Sequence, residues 1–212
     1  ESADLQEITE FVIRINEVSA EASRSQLKPA SEACQSLQGL ITSIAERIKR
    51  LQSTTPSSET SEEAIQWLTK TLEPHFQSIG QRLLATRATC SHWQDLHACR
   101  IASPSDVGIH NTLRTKQGLH FIDFEYAGRD DLSKLLADWV LQPNYPLNNL
   151  QEKILLERIA EEFKPQKSDS WLLRYHSLKR IIAIRWIIIM LRGHIEGNIG
   201  FEQWQRTTAY AD

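Results

Sequence analysis

No run of this sequence is long and apolar enough to suggest a membrane span. The greasiest stretch, IIAIRWIIIML from Ile181 to Leu191, reaches about half the length a span requires and carries Arg185 within it. A buried helix is the expectation there. An excess of basic charge is also missing. Lys+Arg 24 stand against Asp+Glu 27, for a net charge of -3, which argues against dedicated nucleic-acid binding and leaves only local basic patches open. Cysteine is scarce and odd in number (Cys34, Cys90 and Cys99), and no secretory leader pattern precedes it. A reduced, cytoplasmic setting is expected from that usage. What remains is an ordinary globular composition, 41% hydrophobic and 24% charged over 212 residues, enough to bury a core in one large or two small domains. The chain opens on Glu1 rather than Met, directly in a helical pattern, and reads as a piece that starts mid-protein.

The first half is patterned as helix. Ile8, Phe11, Val12 and Ile15 form one stripe at helical spacing. Pro29 and the Ser31 region predict the opening of a second helix, on which Cys34, Leu37, Ile41, Ile44, Ile48 and Leu51 recur at alternating three and four. The polar linker Ser53 to Ser61 follows, and Thr60 with Glu63 predicts a capping box for a third helix. That helix carries Ile65, Leu68, Leu72, Phe76, Ile79 and Leu83 on one face, with a kink expected at Pro74. The two long stripes suit an antiparallel pair in a globular bundle; a coiled coil is the other reading.

From Leu96 the pattern changes to short strand-like pieces: HACRIAS, NTLRT and LHFIDFEY, the last two joined by a turn at Lys116, Gln117 and Gly118. Helices resume at LSKLLADWVLQ, which Pro143 and Pro146 end, then at LQEKILLERIAEEF and at WLLRYHSLKRIIAIRWIIIMLRGHI, with a short tail helix after Gly197 and Gly200. The fold class expected is mainly α with a small β-hairpin insertion.

That insertion holds the chemistry. In IASPSDVGIHN, Asp106 and Asn111 stand five apart on a polar loop, and Asp123 follows an apolar run in HFIDFEYAG. Phosphoryl transfer asks for little covalent help: a carboxylate to orient the attacking hydroxyl and take its proton, and oxygen ligands for Mg²⁺. Asp and Asn are also common turn residues, so the pair alone carries little weight. With the hairpin and IDFEYAG added, the constellation resembles the aminoglycoside phosphotransferase and choline kinase family, whose fold is protein-kinase-like. The resemblance runs over the C-terminal, helix-rich lobe of that fold, with its sharp motifs between Ser103 and Asp138.

It implies an ATP-dependent, Mg²⁺-assisted phosphotransferase acting on a small-molecule alcohol, with Asp106 as catalytic base and Asn111 and Asp123 as the residues that hold Mg²⁺ and, through it, the nucleotide. It implies one helical lobe over residues 1–212: a helical part (1–95), the catalytic loop, metal hairpin and following helix (96–142), and C-terminal helices (143–212). Asp131, eight residues after the metal aspartate, is expected to hold the loop or cap the next helix. Glu125 is expected on the same strand face as Asp123, as a supporting group.

Two departures stand against a simple transfer. Pro104 occupies the place where the family usually has a loop-bracing histidine. No glycine-rich phosphate loop and no strand lysine with a glutamate partner appears before the helices, so the N-terminal nucleotide-binding lobe is expected to be absent here and the chain alone to bind nucleotide poorly. A non-catalytic kinase-like binding module is therefore the alternative, and a purely structural helical domain a third reading. His110, four residues after Asp106, suggests a metal pair of hydrolase type only if further ligands converge. Cys90, His92, His97 and Cys99 are zinc-ligand types at an uncommon spacing, for which packing and solvated roles are favoured. Trp139, Trp171, Tyr175, Trp186 and Trp204 are expected in the core or lining a substrate groove. Arg174, Lys179, Arg180 and Arg185 are expected to form a solvated basic face, an anionic partner surface being the other reading.

Overall fold

A computed structural model describes residues 2–17, 26–87, 100–163 and 170–196. Within it the chain forms two compact units. One comprises Glu1–Ser36 and Thr89–Lys179, the other Leu37–Ala88 and Arg180–Asp212. The Cys90, His92, His97 and Cys99 cluster, Trp204 and the tail beyond Glu196 lie outside the described residues.

The second unit is built from the periodic stripes. Helix α2 (Leu37–Gln52) buries Leu37, Leu40, Ile44, Ile48 and Leu51. Helix α3 (Glu59–Trp67) passes through a π-helical turn, Leu68–Leu72, into α4 (Glu73–Arg87). The pair is antiparallel: Gln52 at the end of α2 bonds Thr69 and Glu73, while Ile41 near its start packs on Gly80. The expected capping box is displaced by two residues. Ser58 is the N-cap, its Oγ accepting from the Ser61 N–H at 3.1 Å, and Ser61 Oγ accepts from the Ser58 N–H at 3.0 Å. The expected kink takes the form of the π turn, in which the Glu73 N–H donates to Leu68 O, five residues back. Pro74 has no N–H and crowds the carbonyl four residues before it, which the wider π turn accommodates.

The first unit holds the β pieces. Helix α1 (Ser2–Glu17) buries Leu5, Ile8, Val12 and Ile13. Strand β1 (Arg100–Ser103) pairs antiparallel with β4 (Gly128–Asp131), and β2 (Thr112–Thr115) pairs antiparallel with β3 (Gly118–Phe121). The sequence pattern predicts one hairpin; the structure has that hairpin and a second two-stranded sheet. The strand expected through Tyr126 stops at Phe121, and GRDD forms β4. Those four residues have no apolar alternation, and backbone partners on both sides hold them extended. On the far side of β4 from β1, the Ala30 N–H donates to Arg129 O at 3.0 Å and the Arg129 N–H donates to Lys28 O at 2.7 Å. Gly128 permits the approach, since a Cβ there would sit 2.4 Å from Lys28 O. Because residues 28–31 serve as this backbone partner, the second helix starts at Leu37 instead of near Ser31.

Helix α5 (Leu132–Leu141) follows β4, with Asp131 as its N-cap accepting from the Lys134 N–H at 3.2 Å. Helices α6 (Asn149–Phe163) and α7 (Ser170–Ile195) complete the described chain. The first turns of α7 belong to the first unit and the remainder to the second. The expected solvated basic face is not formed: Arg174 and Arg185 are buried, and Arg174 pairs with Asp131 at 3.1 Å. Trp139, Trp171 and Tyr175 are buried as expected of core aromatics.

Candidate active site

The loop that carries Asp106 is fixed from both ends. It leaves β1 at Ser103, whose Oγ accepts from the Ser105 N–H at 3.0 Å. The Asp106 N–H then donates to Pro104 O at 3.0 Å, closing a three-residue turn centred on Ser105 at φ 70°. This is the rare, positive-φ hand of the γ-turn, and a left-handed non-glycine residue costs on the order of 1–3 kcal/mol. Pro104 is buried and supplies the turn's acceptor carbonyl. Beyond Asp106, Gly108 leads into a single 3₁₀ turn, Ile109–Asn111. The Asn111 Nδ2 reaches back to donate to the Asp106 backbone O at 2.8 Å. Asp106 and Asn111 are thus brought together by a direct bond.

The hairpin brings Asp123 to the same end. Thr112 and Phe121 are register partners, and one step further the Ile122 N–H donates to Asn111 O at 3.0 Å. Asp123 is the next residue, exposed and at φ 64°. Since the strand has ended at Phe121, alternation does not align Glu125 with Asp123; the Glu125 carboxylate instead lies beside the Tyr126 hydroxyl and pushes its pKa upward. Ser31 ties the two segments together. Its N–H donates to Tyr126 O at 3.0 Å, and its carbonyl accepts from Ser105 Oγ at 3.1 Å. Aromatic packing backs the hairpin, with Phe11 stacked on Phe121 at 3.8 Å.

The Asp106 side chain is half exposed, and His110 Nε2 lies 3.1 Å from its Oδ1. That hydrogen bond is the largest influence on the carboxyl and holds it below the usual aspartate range, against a smaller opposing push from burial. A half-exposed, ionised carboxylate can accept a proton from a hydroxyl placed beside it. Behind the loop lies a different acidic group. Lys134 is buried between Asp130 at 2.9 Å and Asp138 at 3.1 Å, next to the Asp131–Arg174 pair. Burial pushes Asp130 and Asp131 upward, and Lys134 and Arg174 respectively oppose it.

Asn111 and Asp123 offer hard oxygen donors, the type Mg²⁺ prefers. Asn111 has its amide nitrogen committed to Asp106, which leaves the amide oxygen as its outward acceptor. Among the described residues no group of three or more His, Cys, Asp or Glu side chains is arranged for a metal ion, so His110 and Asp106 do not form the hydrolase-type centre that their spacing suggested. Mg²⁺ needs no such cage, because it takes one or two protein ligands together with phosphate and water. A separate cavity of about 460 Å³ lies between α6 and α7, lined by residues that include Glu152, Leu156, Trp171 and His176. None of Asp106, Asn111 and Asp123 lines it.

The similarity of the whole fold gives this arrangement a setting. A crystal structure of choline kinase from Cryptosporidium parvum Iowa II superposes with a TM-score of 0.50 at 13% sequence identity, over 98% of this chain and 63% of that one. The chain shares a fold with choline kinase. The relation is one of protein-kinase-like architecture, and this chain spans less than two thirds of the kinase's length. No protein-family profile and no curated protein sequence matches the chain. Among the described residues no helix is long and apolar enough to cross a membrane.

Sequence spacing brought Asp106, Asn111 and Asp123 to attention, and the fold gathers all three at one end of the hairpin. It did not reveal Ser31 as the tie between their segments, or Gln142 behind His110. The glycine two residues before His110 was a local signal only for the packing of the ring, since a Cβ at Gly108 would lie 2.6 Å from the imidazole.

Proposed function

We propose that this chain is the helical lobe of an ATP- and Mg²⁺-dependent phosphotransferase acting on a small-molecule alcohol. The observation that supports the reading is the bonded relay from the Asp106 backbone through Asn111 to Ile122, the residue before Asp123, with the half-exposed Asp106 carboxylate at its start. The choline kinase fold supports the same reaction class and makes a small amino-alcohol the first acceptor to try.

In this reading Asp106 accepts the proton of the acceptor hydroxyl as that oxygen bonds to the γ-phosphorus. The bond to the β-phosphate bridging oxygen breaks, and its electrons leave with the nucleoside diphosphate. Asn111 through its amide oxygen and Asp123 through its carboxylate would hold Mg²⁺, which would neutralise phosphate charge when bound. Asn111 has a second task, because its Nδ2 fixes the backbone at Asp106 and with it the direction of the base. The sequence has no glycine-rich phosphate loop or lysine–glutamate pair of the nucleotide clamp, so the reading requires those groups from outside these residues and expects weak nucleotide binding by this chain alone. A reduced, cytoplasmic compartment suits the reaction.

The test is Mg-ATP turnover by the full-length protein, with choline and with water as acceptors, against Asp106→Asn. A general base contributes about a hundredfold to ten-thousandfold, so Asp106→Asn should lose at least a hundredfold. Equal turnover by the two proteins would leave the non-catalytic binding module as the better account.

A further inference from the structure

Three polar contacts in series end on the candidate base. The Tyr145 N–H donates to Gln142 Oε1 at 3.2 Å. That bond fixes the orientation of the Gln142 amide, turning its Nε2, a donor only, toward the His110 ring, 3.1 Å from Nδ1 and 3.4 Å from Nε2. On the side toward the loop, the ring's Nε2 lies 3.1 Å from Asp106 Oδ1, and a proton on that nitrogen is the one a carboxylate can accept. Gln142 is buried and the His110 ring is mostly covered, whereas the Asp106 carboxylate is half exposed. The series thus runs from the interior outward and stops at the one group open to a ligand. The ring lies against Gly108, where any side chain would strike it, with 2.6 Å to Cε1 and 2.7 Å to Nδ1. On the other side of Asp106, Pro104 has neither an N–H nor a polar side-chain atom to offer.

We infer that His110 is the positioning residue of this site: its Nε2–H holds one oxygen of Asp106, and Gln142 backs the ring from behind. The inference rests on the reading of Asp106 as the base and adds to it what aims that base. Pinning Oδ1 fixes the carboxylate plane, so Oδ2 is the oxygen presented for proton transfer. Orientation of this kind acts on the chemical step, because a displacement of about 1 Å can cost a hundredfold in rate. It leaves ground-state binding of the nucleotide nearly untouched. The brace that the resembling family places before the base is then supplied here from after it, by a residue next to Asn111.

The test has two arms on the full-length protein. In the first, long-range ¹H–¹⁵N NMR of histidine-labelled protein reads the His110 tautomer directly, with no turnover required. The Nε2–H form is expected, because only a proton on Nε2 can be given to the Asp106 carboxylate; a resonance pattern of the Nδ1–H form overturns the inference whatever the protein's activity. In the second, Mg-ATP turnover with water as acceptor is measured for His110→Phe, His110→Gln and Gln142→Leu. His110→Phe should lower kcat about ten- to a hundredfold, with KM for Mg-ATP held within about twofold. His110→Gln, whose amide nitrogen reaches a similar point, should recover most of the loss. Gln142→Leu keeps the imidazole and removes only the polar group behind it, so it serves if the Phe variant folds poorly, and a severalfold fall in kcat is expected. In an Asp106→Asn background none of these changes should cost anything further, because His110 acts through Asp106. Loss of turnover in Asp106→Asn with full turnover in His110→Phe overturns the positioning role and leaves the phosphotransferase reading standing. Full turnover in Asp106→Asn overturns both.

Discussion

Asp123 and Asp130 stand seven residues apart on one connection, and the fold places their charges in opposite surroundings. Asp123 is exposed at the tip of a turn, in a left-handed conformation, among exposed Ile122, Phe124 and Tyr126. Asp130 is buried on β4, accepting from the Cys34 N–H at 2.9 Å and paired with Lys134. The first arrangement leaves a carboxylate open to solvent and to ligands. The second encloses three carboxylates and two cations behind the loop and gives them structural duties, as N-cap, strand anchor and helix tie. Acidic residues near a candidate site are therefore of two kinds here, and burial with a fixed cation tells them apart. The buried group also reaches the site weakly, since Lys134 helps to hold Asp106 ionised.

Substitutions can sharpen this contrast, from the largest expected change in stability to the smallest. Lys134→Met removes the cation between Asp130 and Asp138 and leaves two enclosed carboxylates uncompensated. A loss of about 3–5 kcal/mol in denaturant unfolding is expected. Gly128→Ala drives a Cβ into the Lys28 carbonyl and the Ala30 backbone, which cannot move without breaking the β4 contacts. About 1–3 kcal/mol should be lost by the same measurement. Asp123→Asn lies at the other extreme. Asparagine tolerates the left-handed backbone, so stability should change by no more than about 0.5 kcal/mol, while Mg²⁺-dependent nucleotide binding by the full-length protein falls. Binding that survives unchanged would remove Asp123 from the metal.

The pH dependence should divide in the same way. Asp106 is held below its unfolded value of about 3.9, so its contribution is present above that value and is lost as pH falls through the lower, folded one. Asp130 and Asp131 are raised, so their contribution is fully present below about 3.9 and is lost as pH rises through their folded values. Asp106→Asn should accordingly flatten the acid limb of a stability–pH curve below about pH 3.9 without altering the limb above it. An acid limb identical to the parent's would mean that the His110 contact does not hold in solution.

The helices were legible because their information is local. The stripes of α2 and α4 and the continuous apolar run of α7 come from spacing alone, and the proline stops after α5 from backbone chemistry. The Asp106, Asn111 and Asp123 trio was legible as a spacing between motifs. What could not be read was set by partners distant in sequence. GRDD is extended because residues 28–30 and β1 flank it, and nothing in four charged and small residues announces that. Arg174 looks like part of a basic face until Asp131, in the preceding β–α junction, comes to lie beside it. Ser58 outcompeted Thr60 as the cap through the reciprocal bond to Ser61, a choice between near-equivalent hydroxyl residues that spacing does not resolve. His110 was visible as four residues from Asp106; its orientation depends on Gln142, which no local pattern connects to the loop.

Asn16 closes α1 in a way that reaches past folding. Its side-chain amide donates to Ala102 O and accepts from the Ala102 N–H, both at 2.9 Å, as a neighbouring strand would. A two-stranded sheet otherwise offers the outer edge of β1 as a template on which a strand from another molecule can pair. One side-chain amide occupies that template at its centre. Asn16→Ala would then appear first as self-association at high protein concentration, ahead of any measurable change in the site a few residues away.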